Sequence, residues 1–300
     1  MTAELKSAGV VGAQATATSE EKFGVESITL SRIADSPEIV TVKAGVYVPC
    51  GVDTSVYVYR FSENGRVRLL EADGTREWGD TGMDLQFSSR DPSGARVLYL
   101  SWFGVSCASV WNTLDYRLFR ISPGDNHADP IFSGAHTFTI DDDYHAKVTT
   151  EDFLLELTAG ALSPGWRRTY VLHYTVGAHG ARRIDPVALQ PQDFVHEWIN
   201  EPWPEMASRS ATGLENWHKF LHDFSGEYDF VQPCSGRKGF TQVAIEPSVV
   251  GKKKPMYFLV KDNGDHSYRM SGVSYVRQTG CPGQAQPIDF TIQPSLFEKK

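Results

Sequence analysis

The residues best suited to chemistry lie on one predicted helix in the last third of the chain. Glu215, His218 and His222 are spaced three and four residues apart, so a helix would present them on one face. A carboxylate and two imidazoles are ligands that a zinc ion accepts in proteins. The spacing therefore predicts a metal site, although the His-x-x-x-His pair lacks the adjoining glutamate of a zinc protease. The alternative is a histidine pair flanking the aromatic stripe of an amphipathic helix.

A second group of polar residues precedes this helix. His196, Glu197 and Glu201 occur together, and the two glutamates are four residues apart. Paired carboxylates carry out glycoside hydrolysis when burial raises the pKa of one of them. Two glutamates one turn apart on a short helix more often both face water. No residue is therefore assigned a catalytic role, and a hydrolase using Glu201, Glu215, His218 and His222 is kept as the alternative.

Two acidic turns contain the oxygen ligands that calcium prefers. One is the run Asp141-Asp142-Asp143, and the other extends from Asp125 to Asp129. Neither has the spacing of a calcium-binding EF-hand loop, so solvated turns are the favoured interpretation. The nucleophile elbow G-x-S-x-G, the G-x-G of dinucleotide sites and the phosphate-binding P-loop are also missing from the sequence. No cofactor is expected.

Three of the seven tryptophans fall within the same middle segment, interleaved with prolines and acids. Trp198, Trp203 and Trp217 could form an exposed platform for a peptide or a carbohydrate. Tryptophans in such a position more often seal a joint between folded parts, and that interpretation is favoured.

Two of the four cysteines lie in the first half of the chain, and the other two lie in its last quarter. This distribution favours the disulfides Cys50–Cys107 and Cys234–Cys281, although four cysteines allow three connectivities. Disulfides place a protein outside the cytoplasm, and four buried thiols in a cytosolic protein are the alternative. We therefore predict an extracytoplasmic protein, secreted or periplasmic, whose signal peptide is absent from this sequence.

Length and charge limit the class of protein further. The chain has 300 residues, a formal net charge of -8 and a pI near 5.6, which argues against nucleic acid as a partner. No apolar run approaches the ~18 residues of a transmembrane helix. Small polar residues predict a flexible lead-in over residues 1–24.

Alternating Val, Tyr and polar residues predict antiparallel strands over residues 25–184. Three similar segments, at residues 58–61, 118–121 and 172–175, suggest a weak repeat of about 55–60 residues. A helical connector is predicted over residues 185–225. Its first helix would be Phe194–Asn200, capped by Asp193, and its second would run from Thr212 or Leu214 to Phe224.

A small β-rich module is predicted over residues 226–300, which contain several short alternating segments. The expected fold is mainly β, with an N-terminal antiparallel meander, propeller-like sheet or sandwich. The function that agrees best with these patterns is a non-catalytic binding or structural module. Its partner would be a protein, a peptide or a carbohydrate. The alternative is a hydrolase or metal-binding enzyme with its site at the connector.

Overall fold

The computed structural model describes most of the residues of the chain. They are residues 24–48, 51–63, 65–73, 80–105, 111–160, 167–178, 180–222, 226–233, 238–247, 255–278, 281, 286–287 and 295–297. The chain forms two compact units. The first comprises Met1–Ile140, Lys147–Asp152 and Val176–Ala181, and the second comprises Asp141–Ala146, Phe153–Thr175 and Arg182–Lys300.

Strands dominate the described residues, which confirms the prediction of a mainly β antiparallel fold. The strands are β1 (Gly24–Ile33), β2 (Ser36–Val48), β3 (Gly51–Ser62), β4 (Gly65–Asp73), β5 (Asp80–Phe87), β6 (Arg96–Val105), β7 (Trp111–Ile121), β8 (Asp129–Val148), β9 (Asp152–Gly160), β10 (Arg167–Val176), β11 (Ala181–Arg183), β12 (Gly226–Pro233), β13 (Phe240–Pro247), β14 (Met256–Asp262), β15 (Tyr268–Ser274) and β16 (Gln286–Pro287).

The first unit is built as a meander, in which most neighbouring strands are also neighbours along the chain. Its strand order is β1-β2-β3-β5-β6-β7-β8, and β4 pairs with β3 beside this path. The alternation in β3 explains the arrangement, because Thr54, Val56 and Val58 are buried while the residues between them are partly exposed. The side chains of Val56 and Val58 join others from β2, β6 and β7 in one apolar core. The core therefore follows from the period-two pattern of the sequence.

In the second unit, three helices pack on a small antiparallel sheet. The sheet order is β15-β14-β13-β12-β16, and the unit also contains most of β9, β10 and β11. The helices are α1 (Pro191–Asn200), α2 (Trp203–Met206) and α3 (Glu215–Leu221), with a 3₁₀ turn at Ala207–Arg209. Apolar residues of α1, α2 and α3 share one buried cluster with β13, β14 and β15. This packing fixes the helical segment against the sheet. Within the described residues, no helix combines the length and apolar character needed to span a membrane.

The predicted helices exist, but their ends differ from the prediction. The first helix starts at Pro191, and Asp193 lies buried in its first turn without acting as the cap. The predicted cap was wrong because the helix begins two residues before Asp193. Proline is tolerated in the first turn of a helix, where a backbone N–H would have no partner within the helix. The last helix ends at Leu221, since the backbone of His222 leaves the helical region (φ -58, ψ 130). Helix α2 was not predicted. It has Pro204 in its first turn, where proline is tolerated as it is in α1.

Candidate functional site

A buried ionic cluster joins α1 to two strands of the second unit. The carboxylate of Glu197 accepts hydrogen bonds from Arg168 of β10 and from Arg183 of β11. The Arg183 Nη2 to Glu197 Oε2 distance is 2.6 Å. All three side chains are buried, and Arg168 is only 1% exposed. Two guanidinium groups therefore share one carboxylate away from water.

Other contacts extend this ionic cluster at both ends. Arg183 Nη1 donates to Glu201 Oε1 at 2.6 Å. Arg168 Nη1 donates to Nδ1 of His196 at 2.8 Å, and the guanidinium carbon lies 3.6 Å from the ring centroid of Tyr170. Because His196 accepts this bond at Nδ1, its imidazole is neutral.

The charges in the cluster displace several pKa values. Burial would raise the pKa of Glu197, but Arg183 and Arg168 outweigh it and lower that pKa to about 2. Burial raises the pKa of Asp193 to about 7, although Arg168 acts in the opposite direction. Burial and the charge of Arg168 together lower the pKa of His196 to about 3. Glu197 is thus held as an anion, whereas Asp193 keeps its proton until the pH approaches 7.

The geometry of the ionic cluster indicates a structural role. Displaced pKa values are also found at active sites, but an active site must open to a cavity that admits substrate. Two cavities of the described part of the chain are lined by other residues and include no member of this cluster. Within the described part of the chain, the Nε atoms of Arg168 and Arg183 are buried without a hydrogen-bond partner. The cluster therefore fastens α1 to β10 and β11 and offers no open acid or base.

Sequence reasoning selected His196, Glu197 and Glu201 but missed both arginines. One available signal was position, since Arg168 precedes the apolar pair Val171 and Leu172 of β10, which are both buried, so that neither face of this strand is open to water. An arginine at an inward position of a strand requires a buried anion as its partner.

The histidines predicted to bind metal have other partners. His218 is 2% exposed, and its Nε2 donates to the backbone carbonyl of Glu201 at 2.9 Å. Nδ1 of His222 donates to the carbonyl of Ile199 at 3.0 Å, and the two imidazoles stack at 5.6 Å. Glu215 lies on the surface and is 3.2 Å from Lys219. The described residues include no group of three or more His, Cys, Asp or Glu side chains that could hold a metal ion.

The three tryptophans occupy three different environments. Trp198 is fully buried in the core, and its indole N–H donates to Ser210 Oγ at 2.8 Å. Trp203 is half-buried, with its ring 5.2 Å from that of His218. Trp217 is half-buried and packs against Tyr275 at 5.5 Å. A single platform of all three is therefore not formed, and Trp203 is the member that lines a cavity.

The other predicted sites can be placed only in part. Cys281 is buried against Leu259 and Phe240, whereas Cys50, Cys107 and Cys234 lie outside the described residues, so the disulfides stay a prediction. Asp125 accepts a hydrogen bond from the backbone N–H of Ser122 at 2.9 Å. Asp129 lies 2.8 Å from His127. The backbone of residues 141–143 runs within β8, and their side chains are not among those described.

A polar groove lies beside α2 in the second unit. It has a volume of about 570 Å³, which is within the range typical of ligand pockets. Its walls come from α2, the 3₁₀ turn, the following loop, the start of α3, and β15. The residues that line this groove are Trp203, Ala207, Ser208, Ser210, Ala211, Thr212, Gly213, Glu215, Asn216 and Arg269.

Buried hydrogen bonds hold the floor of the groove in place. Ser210 Oγ accepts from the Trp198 indole at 2.8 Å and donates to the carbonyl of Met206 at 2.7 Å. The carbonyl of Ser210 accepts from Arg269 Nη2 at 3.0 Å. The next residue, Ala211, donates its N–H to the carbonyl of Met270 in β15 at 2.8 Å. The groove is thus built on the core rather than on a loose surface loop.

The groove offers hydrogen-bonding groups that the protein itself does not use. Within the described residues, the side chains of Ser208, Thr212 and Asn216 have no hydrogen-bond partner. Glu215 and Arg269 supply one negative and one positive charge to the same lining. Together with the indole of Trp203, these groups form a pocket that combines one aromatic surface with many donors and acceptors.

The opposed pKa values of Asp193 and His196 predict a specific dependence of stability on pH. Because the pKa of Asp193 is raised from 3.8 to about 7, its contribution to stability is full below pH 3.8 and declines as pH rises through 7. Because the pKa of His196 is lowered from 6.5 to about 3, its contribution is present above pH 6.5 and declines as pH falls through 3. The two slopes oppose each other between pH 3.8 and 6.5.

Asp193→Asn is therefore expected to change the slope of stability against pH. The amide imitates the neutral carboxyl group and does not titrate. Of the two opposed contributions to stability, only that of His196 should then still change with pH. The free energy of unfolding of the variant, measured by urea denaturation from about pH 5 to 6.5, should rise more steeply with pH than that of the wild type. Asp265→Asn, at an exposed position with φ 50, is the control and should follow the wild type. If the free energy of unfolding changed with pH in the same way in all three proteins, the burial of a neutral Asp193 would be contradicted.

Comparison with known proteins provides no relative for the chain. No protein-family model, no curated protein and no solved structure matches it. Functional inference therefore rests on the geometry of the groove and the ionic cluster.

Proposed function

We propose that this protein is a non-catalytic, extracytoplasmic binding protein that takes a carbohydrate in the groove beside α2. The observation that carries the proposal is the pairing of the half-buried Trp203 indole with the unused groups of Ser208, Thr212 and Asn216. A sugar has apolar C–H surfaces that pack on an aromatic ring, and hydroxyl groups that both donate and accept hydrogen bonds.

The chemistry of the lining supports a polar, uncharged ligand in preference to other classes. The carboxylate of Glu215 and the guanidinium of Arg269 balance each other, so the groove favours neither an anion nor a cation. Ala207, Ala211 and Gly213 contribute little apolar surface compared with the polar groups around them. An apolar ligand would leave those polar groups buried without partners, which costs free energy.

The arrangement of the titratable groups favours binding over hydrolysis. Glycoside hydrolysis requires two carboxyl groups that face each other across the scissile bond. Glu201 is bound to Arg183, while Glu215 is near Lys219 on the surface. The Nε2 of His218 is occupied by a backbone carbonyl. The proposal of an extracytoplasmic location is supported by the even number and paired distribution of the cysteines in the sequence.

Binding should depend on Trp203 and Asn216. Saturation-transfer NMR would be recorded on the full chain with soluble tetrasaccharides of glucose, mannose and N-acetylglucosamine. We expect transfer to at least one of them, and about a tenfold or greater loss of affinity in Trp203→Ala and in Asn216→Ala. The affinity can be measured by calorimetry on the sugar that gives transfer.

Trp217→Ala is the matched control, because Trp217 is also half-buried in the helical segment but does not line the groove. This variant should keep the wild-type affinity. Equal losses in Trp203→Ala and Trp217→Ala, or no transfer to any of the sugars, would contradict the proposal.

A further inference from the structure

A small cavity in the first unit is lined by three arginines. Arg60 belongs to β3, Arg96 begins β6, and Arg90 lies in the segment that joins β5 to β6. The volume of the cavity is about 180 Å³, well below that of a pocket for a drug-sized ligand. Glu38 is the one acidic residue among the described residues that line it. Three positive charges and one negative charge give the lining a formal charge of +2.

The donors in this arginine cavity outnumber the acceptors that the protein supplies. Ser36, which is fully buried, accepts hydrogen bonds at Oγ from Arg90 Nε (3.1 Å), Arg90 Nη2 (2.7 Å) and Arg96 Nη2 (2.6 Å). A hydroxyl oxygen has only two lone pairs, so three charged donors exceed what it can accept. At least one of these N–H groups therefore lacks a full hydrogen bond.

The three arginines differ in how their charges are balanced. Arg90 is 2.8 Å from Glu38, and Arg96 is 3.1 Å from Asp35. Arg60 donates only to two backbone carbonyls, at 2.6 Å to Asp125 and at 2.8 Å to Ser122. No carboxylate in the described part of the chain forms an ion pair with Arg60. Its carbonyl bonds hold the guanidinium in position but leave its charge unpaired.

The neighbouring carboxylate responds to the same positive field. The hydrogen bond from Arg96 lowers the pKa of Asp35, and the charges of Arg96 and Arg90 act in the same direction against the effect of burial. Gly124 also lines the cavity, with a φ of +84, and no atom lies within 4 Å of the place where its side chain would begin. Since glycine has no side chain, a charged group can approach the backbone closely at this position.

We propose that this arginine cavity binds a phosphate group, either as inorganic phosphate or as the phosphoryl end of a small metabolite. A phosphate presents oxygens in several directions, which matches guanidinium groups that enter from separate elements. A carboxylate presents two oxygens in one plane and would satisfy fewer of them. Even with Asp35, which pairs with Arg96, counted beside Glu38, the three arginines leave one positive charge in excess, and this favours an anion. This site is in the first unit and does not depend on the carbohydrate proposal.

The test uses the full chain with inorganic phosphate and, separately, glycerol phosphate, by calorimetry at constant ionic strength. We expect saturable one-to-one binding of phosphate, and about a tenfold weaker affinity in Arg60→Gln and in Arg90→Gln. Arg68→Gln is the matched control, because Arg68 is an exposed arginine of the same unit already paired with Glu71 at 2.5 Å. It should bind phosphate as the wild type does. Thermal unfolding of every variant shows which of them are folded.

The two ligands distinguish the two sources of phosphate. Binding of both identifies the phosphoryl group of a larger molecule as an acceptable ligand, and binding of inorganic phosphate alone restricts the site to the free anion. Both results support the proposal. It would be overturned if acetate bound as tightly as phosphate, if neither phosphate compound bound the wild type, or if the two arginine variants bound like Arg68→Gln.

Discussion

Replacement of Glu197 by alanine is expected to lower the free energy of unfolding by about 3–5 kcal/mol. The carboxylate is the shared partner of Arg168 and Arg183, and both guanidinium groups are buried. Without it, two positive charges would remain in the interior, and Glu201 would be the one carboxylate still bonded to either of them among the described residues. The large effect would be due to those unpaired charges, because an intact buried ion pair is not strongly stabilising in itself.

Urea denaturation at neutral pH measures this effect, and Glu205→Ala is the matched control. Glu205 is an exposed glutamate of α2 in the same helical segment, so its loss should leave stability almost unchanged. A further variant, in which Arg168, Arg183 and Glu197 are all replaced by Met or Leu, should regain much of the stability lost in Glu197→Ala. A loss for Glu197→Ala no larger than that for Glu205→Ala would show that the cluster is not a buried, mutually dependent network.

Trp198→Ala is expected to cost about 3–5 kcal/mol of stability and to weaken ligand binding in the groove. The indole is fully buried in the core that α1 shares with β13 and β14. Its N–H also holds Ser210, whose hydroxyl in turn donates to the carbonyl of Met206. Removal of the ring would leave a cavity in the core and release the floor of the groove.

A comparison with Trp198→Phe separates packing from hydrogen bonding. Phenylalanine keeps much of the apolar volume but cannot donate to Ser210, so it should lose less stability than alanine while still weakening the floor. Trp217→Ala, at the half-buried tryptophan, should cost less than Trp198→Ala because less surface is removed from the core. If the alanine variants at the two positions were equally stable, Trp198 would not have the central packing role described above.

Local patterns in the sequence were sufficient to predict most of the strands and the presence of the helical segment. The period-two alternation of β3 and the apolar stripe of α1 depend only on residues close together in the chain. The start of α1 was misplaced because Asp193 has the side chain of a good cap, yet Pro191 already begins the helix. Local capping preference was outweighed by burial of Asp193 beside Arg168.

The candidate sites could be predicted less well because they depend on contacts between distant parts of the chain. Glu197 was selected for its charge, but its partners lie 29 and 14 residues away on strands. Arg269 and Trp203 line one groove only because β15 packs beside the 3₁₀ turn that follows α2, which no local pattern indicates. The acidic and histidine residues near position 218 were prominent in the sequence, and backbone carbonyls occupy Nε2 of His218 and Nδ1 of His222 in the structure.

The most direct test of the proposed function is amide hydrogen exchange on the full chain, with and without the tetrasaccharide that gives saturation transfer. The groove beside α2 predicts that added sugar slows exchange in residues 203–216 and around Arg269, with no comparable change in β1 to β7. Slowed exchange confined to other segments, or unchanged exchange in residues 203–216 at a saturating sugar concentration, would contradict the assignment of this groove as the binding site.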